Sequence, residues 1–228
     1  MTDDADLVTA EWRRRTQAEY TSAAIAQQVT LWLIQLGAPP DLIRDGLRIV
    51  EDELAHSEMS AVVADDAGGV VGSPVIDPAT LTVGGGGDPA AALVASILRY
   101  FCIGETVAVP LFRMLRSRCS VPVARRALDR ILRDEARHRQ FGWDVLDWVL
   151  LAGGPSVRDA LAAQAPTMLS EVVTAYTVAT DGAEPEAPMS PNVLAWGLAP
   201  PSDYLDTLAI ALASDVRPRL ATRGVTID

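Results

Sequence analysis

The sequence predicts an all-α protein: a four-helix bundle of two antiparallel hairpins, followed by one or two accessory C-terminal helices. Three observations predict it. The apolar share, 49% of 228 residues, is mostly Ala, Leu and Val, with only 5% aromatics, a bias toward strong helix formers and close helix packing. Helical periodicity runs through long segments punctuated by Gly and Pro. The connections alternate short, long and short, so two hairpins joined by one long crossover are expected.

The first helix is expected over about Thr9 to Leu36, stopped by Gly37-Ala38-Pro39-Pro40. A second runs from Asp41 to about Ala64, broken by Asp65-Asp66-Ala67-Gly68-Gly69. Residues 65–89 form the long connection, rich in Gly and Pro, in which Val70-Val71 and Leu81-Thr82-Val83 are strand-like stretches without partners. The third helix spans Pro89 to Arg118, and the fourth starts at Pro122, a good first-turn residue, and stops at Gly153-Gly154-Pro155. A fifth is expected from Ser156 to Thr180, then a loop over Asp181 to Pro191 and a less regular helix over roughly Asp203 to Pro218. One domain covers 1–228, with its core over about 9–150 and accessory helices over about 156–220.

The net charge of −11 and pI near 4.6 argue against nucleic acid as a partner, because an acidic surface repels phosphate backbones. Met1 to Asp6 is polar and no signal-type apolar segment follows it. Apolar runs such as Val145 to Ala152, interrupted by Asp147, are too short to span a bilayer. Cys102 and Cys119 have no metal-type spacing. A reduced, cytoplasmic setting without a membrane is expected.

The chain has only two histidines, and each follows a glutamate by three residues: Glu53-Leu54-Ala55-His56 and Glu135-Ala136-Arg137-His138. At that offset on a helix both side chains share a face and reach one ion. Hard carboxylate oxygens with imidazole suit iron or manganese. Bundles with such sites draw one more carboxylate from each remaining helix. On the third helix Glu105 is the only acidic residue between Asp88 and Asp129, within an apolar stretch where an unpaired carboxylate is costly. It lies thirteen residues before Arg118, as Glu135 lies thirteen after Pro122, which levels the two across a short turn. On the first helix Glu19 shares a small, apolar stripe with Ser22, Ala23, Ala26 and Leu33. Its spacing to Glu53 leaves about one helical turn, ~6 Å, for the Gly37–Pro40 turn to absorb; Glu11 would leave more. Glu51, Glu58 and the Glu184/Glu186 pair read as solvated charges.

These residues resemble the ferritin-like di-iron carboxylate superfamily over roughly residues 9–150. The paired Asp52-Glu53-Leu54-Ala55-His56 and Asp134-Glu135-Ala136-Arg137-His138 look like the Asp-Glu-x-Arg-His pattern of bacterial multicomponent monooxygenase hydroxylase subunits. That resemblance implies a metal set of Glu19, Glu53, His56, Glu105, Glu135 and His138, with Asp52 and Asp134 orienting the histidines by bonds to their non-coordinating nitrogens. The bland alternative for both aspartates is a surface acid. Glu53 to Ser60 also looks like part of a ribonucleotide reductase small subunit, but the match fails at Met59-Ser60, with no tyrosine. Tyr20, Tyr100 and Tyr176 read as packing residues.

The expected cofactors are two Fe ions, with Mn or a mixed Fe/Mn pair as alternatives, and dioxygen as co-substrate. The expected function is a non-haem di-iron oxidase or monooxygenase acting on a small, mostly apolar organic molecule, supplied by an external electron donor. The competing readings are a ferroxidase or iron-handling protein, a manganese catalase-like enzyme, and a metal used only as a structural staple. Pro110, lacking an N–H, is expected to kink, bulge or break the third helix beside Glu105, turning the Thr106 carbonyl or hydroxyl toward the oxygen side. A substrate cavity is expected among Ala23, Ala26, Val63, Phe101, Val109, Phe112, Phe141 and Gly142. The fifth helix, with Met168, Glu171, Val172 and Tyr176, is expected to pack over one side of the bundle. A homodimer through faces carrying Trp143 and Trp148 is a further expectation, with a place in the core as the equal alternative for both tryptophans.

Overall fold

Glycine and proline set the helix ends, and so the register in which the four long helices meet. The computed structural model describes residues 4–81, 88–180 and 189–225, without the side chains of 79, 80 and 176–180. Among the described residues it is helical and has no strand. Helix α1 spans Asp4–Gln35 and α2 Pro40–Asp66. α1 begins five residues earlier than expected because Asp4 and Asp6 occupy its first turn, where the helix dipole favours acids.

The α1–α2 turn closes with Gly37 at φ +71, the Gly37 N–H on Ile34 O (3.2 Å) and the Ala38 N–H on Leu33 O (2.9 Å). This left-handed cap needs a residue without Cβ. Buried Ala38 then packs in the same core as Leu33. With α1 ending at Gln35 and α2 starting at Pro40, the residual stagger between Glu19 and Glu53 is three residues, ~4.5 Å, which the turn accommodates.

Residues beyond α2 run without regular structure to a short 3-10 turn, Pro78–Leu81. Val70-Val71 forms no strand, and residues 82–87, with Thr82-Val83, lie outside the described part. Gln17 on α1 anchors the crossover. Its amide nitrogen donates to Val75 O (3.0 Å) and its amide oxygen accepts from the Val75 N–H (3.3 Å).

Helix α3 spans Pro89–Arg118, the expected bounds. Asp88 caps it through the Ala90 N–H at 3.0 Å, with Pro89 in the first turn. It is long and apolar enough to cross a membrane by length and composition, unlike the runs singled out in the sequence, but 67% of that window is buried inside the bundle. Its distortion precedes Pro110: Ile97–Glu105 is π-helical and Thr106–Arg118 is α-helical. The wider π turns shift the register of every side chain that follows, and they end at Glu105.

α4 runs Pro122–Thr180 and breaks at Gly154 (φ 63°, ψ −151°), where the fourth and fifth helices were expected to divide. Beyond the break, Leu161, Ala165, Leu169 and Val172 pack into the main core. Residues 181–188, with the Glu184/Glu186 pair, lie outside the described part. A short helix not expected from the sequence, α5 (Pro191–Ala195), starts at a proline. α6 (Pro201–Ala211), a π turn (Leu212–Val216) and α7 (Arg217–Ala221) follow.

Each hairpin closes at a glycine. A Cβ at Gly142 on α4 would sit 2.6 Å from Phe101 Cβ and 2.8 Å from its carbonyl carbon, so α4 packs directly on the backbone of the π segment. Gly46 on α2 likewise faces Thr30 on α1. Trp143, fully buried, donates from Nε1 to Thr106 Oγ1 at 3.1 Å and lies under the guanidinium groups of Arg219 and Arg223. It therefore belongs to the interior, not to an outer face; Trp148 is partly buried against the same core.

Candidate metal centre

Six side chains from four helices converge at the middle of the bundle. Glu19 comes from α1, Glu53 and His56 from α2, Glu105 from the end of the π segment, and Glu135 and His138 from α4; all are buried. Glu19, Glu53, His56 and Glu135 each offer a ligand atom within 4.8 Å of the others, and so do Glu53, Glu105 and His138. His56 Nδ1 lies 3.7 Å from Glu19 Oε2, 3.7 Å from Glu53 Oε2 and 4.0 Å from Glu135 Oε1. His138 Nδ1 lies 3.1 Å from Glu53 Oε1 and 3.6 Å from Glu135 Oε2. Glu53 and Glu135 are thus shared between the histidines, with Glu19 beside one and Glu105 beside the other. The structure brings together all six residues read from the sequence, including Glu19. Glu11 stays apart, held by Arg14 and Arg15. Glu51 and Glu58 are exposed.

The donor set fits bound cations on a separate observation. Among the described residues, seven buried side-chain atoms lack a hydrogen-bond partner, and four of them face this cluster: Glu53 Oε2, Glu135 Oε2, His56 Nδ1 and His138 Nδ1. Buried orphan polar atoms are costly, and four converging ones are what metal ligands look like without metal. Electrostatics agrees. Burial, with the neighbouring Glu53 charge, pushes the Glu19 carboxyl up to about 8 against the lowering influence of His56. Burial and Glu135 likewise hold the Glu105 carboxyl well above its usual range. Burial works to lower His56, but Glu19 and Glu53 outweigh it and push the imidazole up to about 10; His138 is raised the same way by Asp52, Glu135 and Glu53. Glu19 and Glu105 thus favour protons that cations would replace, whereas Glu53, despite its burial, is held below its usual range by the two imidazoles.

The other histidine nitrogens are held crosswise. His56 Nε2 meets Asp134 Oδ2 at 3.3 Å, and His138 Nε2 meets Asp52 Oδ2 at 3.4 Å, each pair joining α2 to α4. Both aspartates are buried, so they are not surface acids. Three arginines of α4 hold them in turn. Arg130 bonds both Asp134 and Asp52, Arg137 donates to Asp52 Oδ2 (2.5 Å) and Asp134 Oδ1 (3.3 Å), and Arg133 donates to Asp134 Oδ1 (3.1 Å). The arginines went unassigned from sequence, although Arg130 and Arg137 stand at i−4 and i+3 from Asp134, the spacing of helical ion pairs. Ser22 was also missed as a partner; its hydroxyl donates to Glu53 Oε1 at 3.2 Å.

A cavity of about 840 Å³ opens onto Glu19, Glu53, Glu105 and Glu135, while neither histidine lines it. Its apolar wall includes Ile25, Ala108, Leu111, Phe112, Leu115 and Val172. The expected cavity position is corrected: of the residues named for it only Phe112 lines it. Ala23, Ala26, Val63, Phe101, Val109 and Phe141 are buried hydrophobic core, and Gly142 marks the α3–α4 contact. The open space lies instead between α1 and α3, under α4 beyond its break and the segment around Leu198 and Tyr204. Tyr100 lines the cavity as well. Tyr176 has no described side chain. Thr106, expected to face the oxygen side, has its hydroxyl turned to Trp143 instead and does not line the cavity.

No family model, curated protein or solved structure matches this chain.

Proposed function

We propose that the chain is a ferritin-like, non-haem di-iron oxidase or monooxygenase that uses dioxygen to oxidise a small, mostly apolar organic molecule. The observation that carries this reading is the large, apolar-walled cavity ending on four converging glutamates, with neither histidine on its wall. Ferroxidation or storage has no use for an organic-sized cavity of this kind.

Glu19 and His56 would hold one ion, Glu105 and His138 the other, with Glu53 and Glu135 shared between them. An iron pair supplies two electrons and open positions for dioxygen. The chain's residues do the rest. Asp52 and Asp134 hold the imidazole Nε2 atoms, leaving Nδ1 turned inward. Ser22 holds one Glu53 oxygen. Ile25, Leu111, Phe112 and Val172 exclude water and bind the apolar body of the substrate.

The test is anaerobic reduction of the iron-loaded protein followed by oxygen, with visible absorbance and oxygen consumption recorded. Oxygen uptake of at least one equivalent per iron pair, with a transient absorbance change, is expected. No uptake overturns the reading. A large cage in gel filtration would point to iron storage, and peroxide turnover by the manganese form to a catalase.

A further inference from the structure

Charge is distributed very unevenly over this acidic chain. All 19 basic residues are arginine, and nine of them fall between Arg113 and Arg139, where only Asp129, Asp134 and Glu135 are acidic. That segment holds six positive charges in excess within a chain of net −11, of which Asp52, Asp203 and Asp215 from other elements offset three. Arg126, Arg130, Arg133 and Arg137 follow one another at spacings of four, three and four, which places them in one stripe along α4. Arg126 is exposed, and Arg130, Arg133 and Arg137 keep 34%, 65% and 44% of their side-chain surface accessible.

The stripe is also the metal centre's bonded route to solvent. The guanidinium groups of Arg130, Arg133 and Arg137 bond Asp52 and Asp134, which bond Nε2 of His138 and His56, whose Nδ1 atoms face the cluster; Arg126 extends the stripe one turn beyond them. None of the four arginines lines the cavity. The two sides of the cluster thus differ: the glutamate side faces the cavity, and the histidine side is backed by partly exposed arginines.

Building on the di-iron reading, we infer that the stripe Arg126–Arg130–Arg133–Arg137 is the docking surface for an acidic one-electron carrier protein. Opposite charge steers such a partner and orients it with little need for buried area. Each encounter oxidises the carrier by one electron and reduces one ferric ion to ferrous, so two encounters restore a reduced pair. An acidic carrier is repelled by the chain's net charge of −11 and attracted by the stripe, whose four arginines outnumber Asp52 and Asp134 by two.

The test compares two reductants of the iron-loaded, oxidised protein in anaerobic stopped flow: a reduced, acidic two-iron ferredoxin and reduced methyl viologen, a small cation. The ferredoxin rate is expected to fall at least about tenfold as salt rises from about 50 to about 500 mM. It should fall about threefold to tenfold in Arg126→Glu, while viologen reduction in that variant stays within about twofold. A metal-free readout runs beside it: binding of oxidised ferredoxin to the apoprotein, weakened by a similar factor in Arg126→Glu. An unchanged ferredoxin rate and affinity in the variant overturns the docking site. So does self-association of the chain at low salt that Arg126→Glu abolishes, which would assign the stripe to a second copy. If viologen also fails to reduce the metal, the di-iron reading falls and the docking inference with it; viologen reduction without ferredoxin reduction removes the docking alone.

Discussion

Asp134 on α4 accepts from His56 on α2 across 3.3 Å, while α2 returns the contact through Asp52 to His138 at 3.4 Å. The exchange means that neither hairpin orients its own histidine. Each imidazole is aimed by the opposite helix, so the centre forms only when α2 and α4 dock in register. Asp134→Asn and Asp52→Asn should each weaken metal binding about 10- to 100-fold, measured by competition with a chromophoric chelator. Affinity equal to wild type in both variants would demote the aspartates to partners of Arg130, Arg133 and Arg137 alone.

The two outer carboxylates are predicted to be separable. Glu105→Ala should lower iron from two ions per chain to at most one, and Glu19→Ala should do the same at the other position. Glu11→Gln, on the same helix as Glu19 but bonded to Arg14 and Arg15, should keep two. Metal analysis after desalting decides this, and retention of two ions in Glu105→Ala would sink the assignment.

Much of this site was legible in the sequence because helix geometry is periodic. Glu53 with His56 and Glu135 with His138 share faces by offset alone, and the equal distances of Glu105 and Glu135 from the α3–α4 turn set their level. Glu19 depended on a turn whose stagger the chain does not spell out; the cap at Gly37 supplies it. The cavity was misplaced because helical offsets say which residues point inward but not which helices stand apart. Phe101, Phe141 and Gly142 point inward where α3 and α4 touch, whereas α1 and α3 leave the gap. The contribution of Leu198, Ala199 and Tyr204 to its wall has no periodic signature, since it comes from a late segment folding back.

The α3–α4 contact gives a packing prediction. Gly142→Ala would drive its methyl against Phe101 Cβ and backbone, which cannot rotate away. A cost of about 1–3 kcal/mol is expected, read from urea unfolding of the metal-free protein. Gly46→Ala meets mainly the Thr30 side chain, so it should cost less. A larger loss at Gly46 than at Gly142 would contradict the close approach at the π segment.

Acid stability should depend on Glu11. Burial raises its carboxyl, but Arg15 and Arg14 beside it dominate and bring it from 4.5 down to about 2. A folded pKa below the unfolded one contributes stability that is complete above about pH 4.5 and lost as pH falls toward about 2. Glu11→Gln should therefore lower stability near neutrality, on the order of 2 kcal/mol after allowance for the half-exposed Arg14. It should also flatten the fall between pH 5 and pH 2. Parallel wild-type and variant curves over that range would remove the pair as the cause.

Metal loading should release protons and stabilise the fold together. With His56 held near 10, His138 also raised and Glu19 near 8, the metal-free centre carries protons at neutral pH on the groups that must ligate. Cations bind the deprotonated forms, so affinity should rise with pH through this range, the raised pKa values setting the direction. Calorimetric titration in two buffers of different ionisation enthalpy should return more than one proton released per pair of ions. Because the folded chain assembles the six ligands and the unfolded one does not, saturating metal should raise the melting temperature and a chelator should lower it. Proton-neutral binding, or a melting temperature indifferent to metal and chelator alike, would mean that the ions bind somewhere other than the Glu19–His138 cluster.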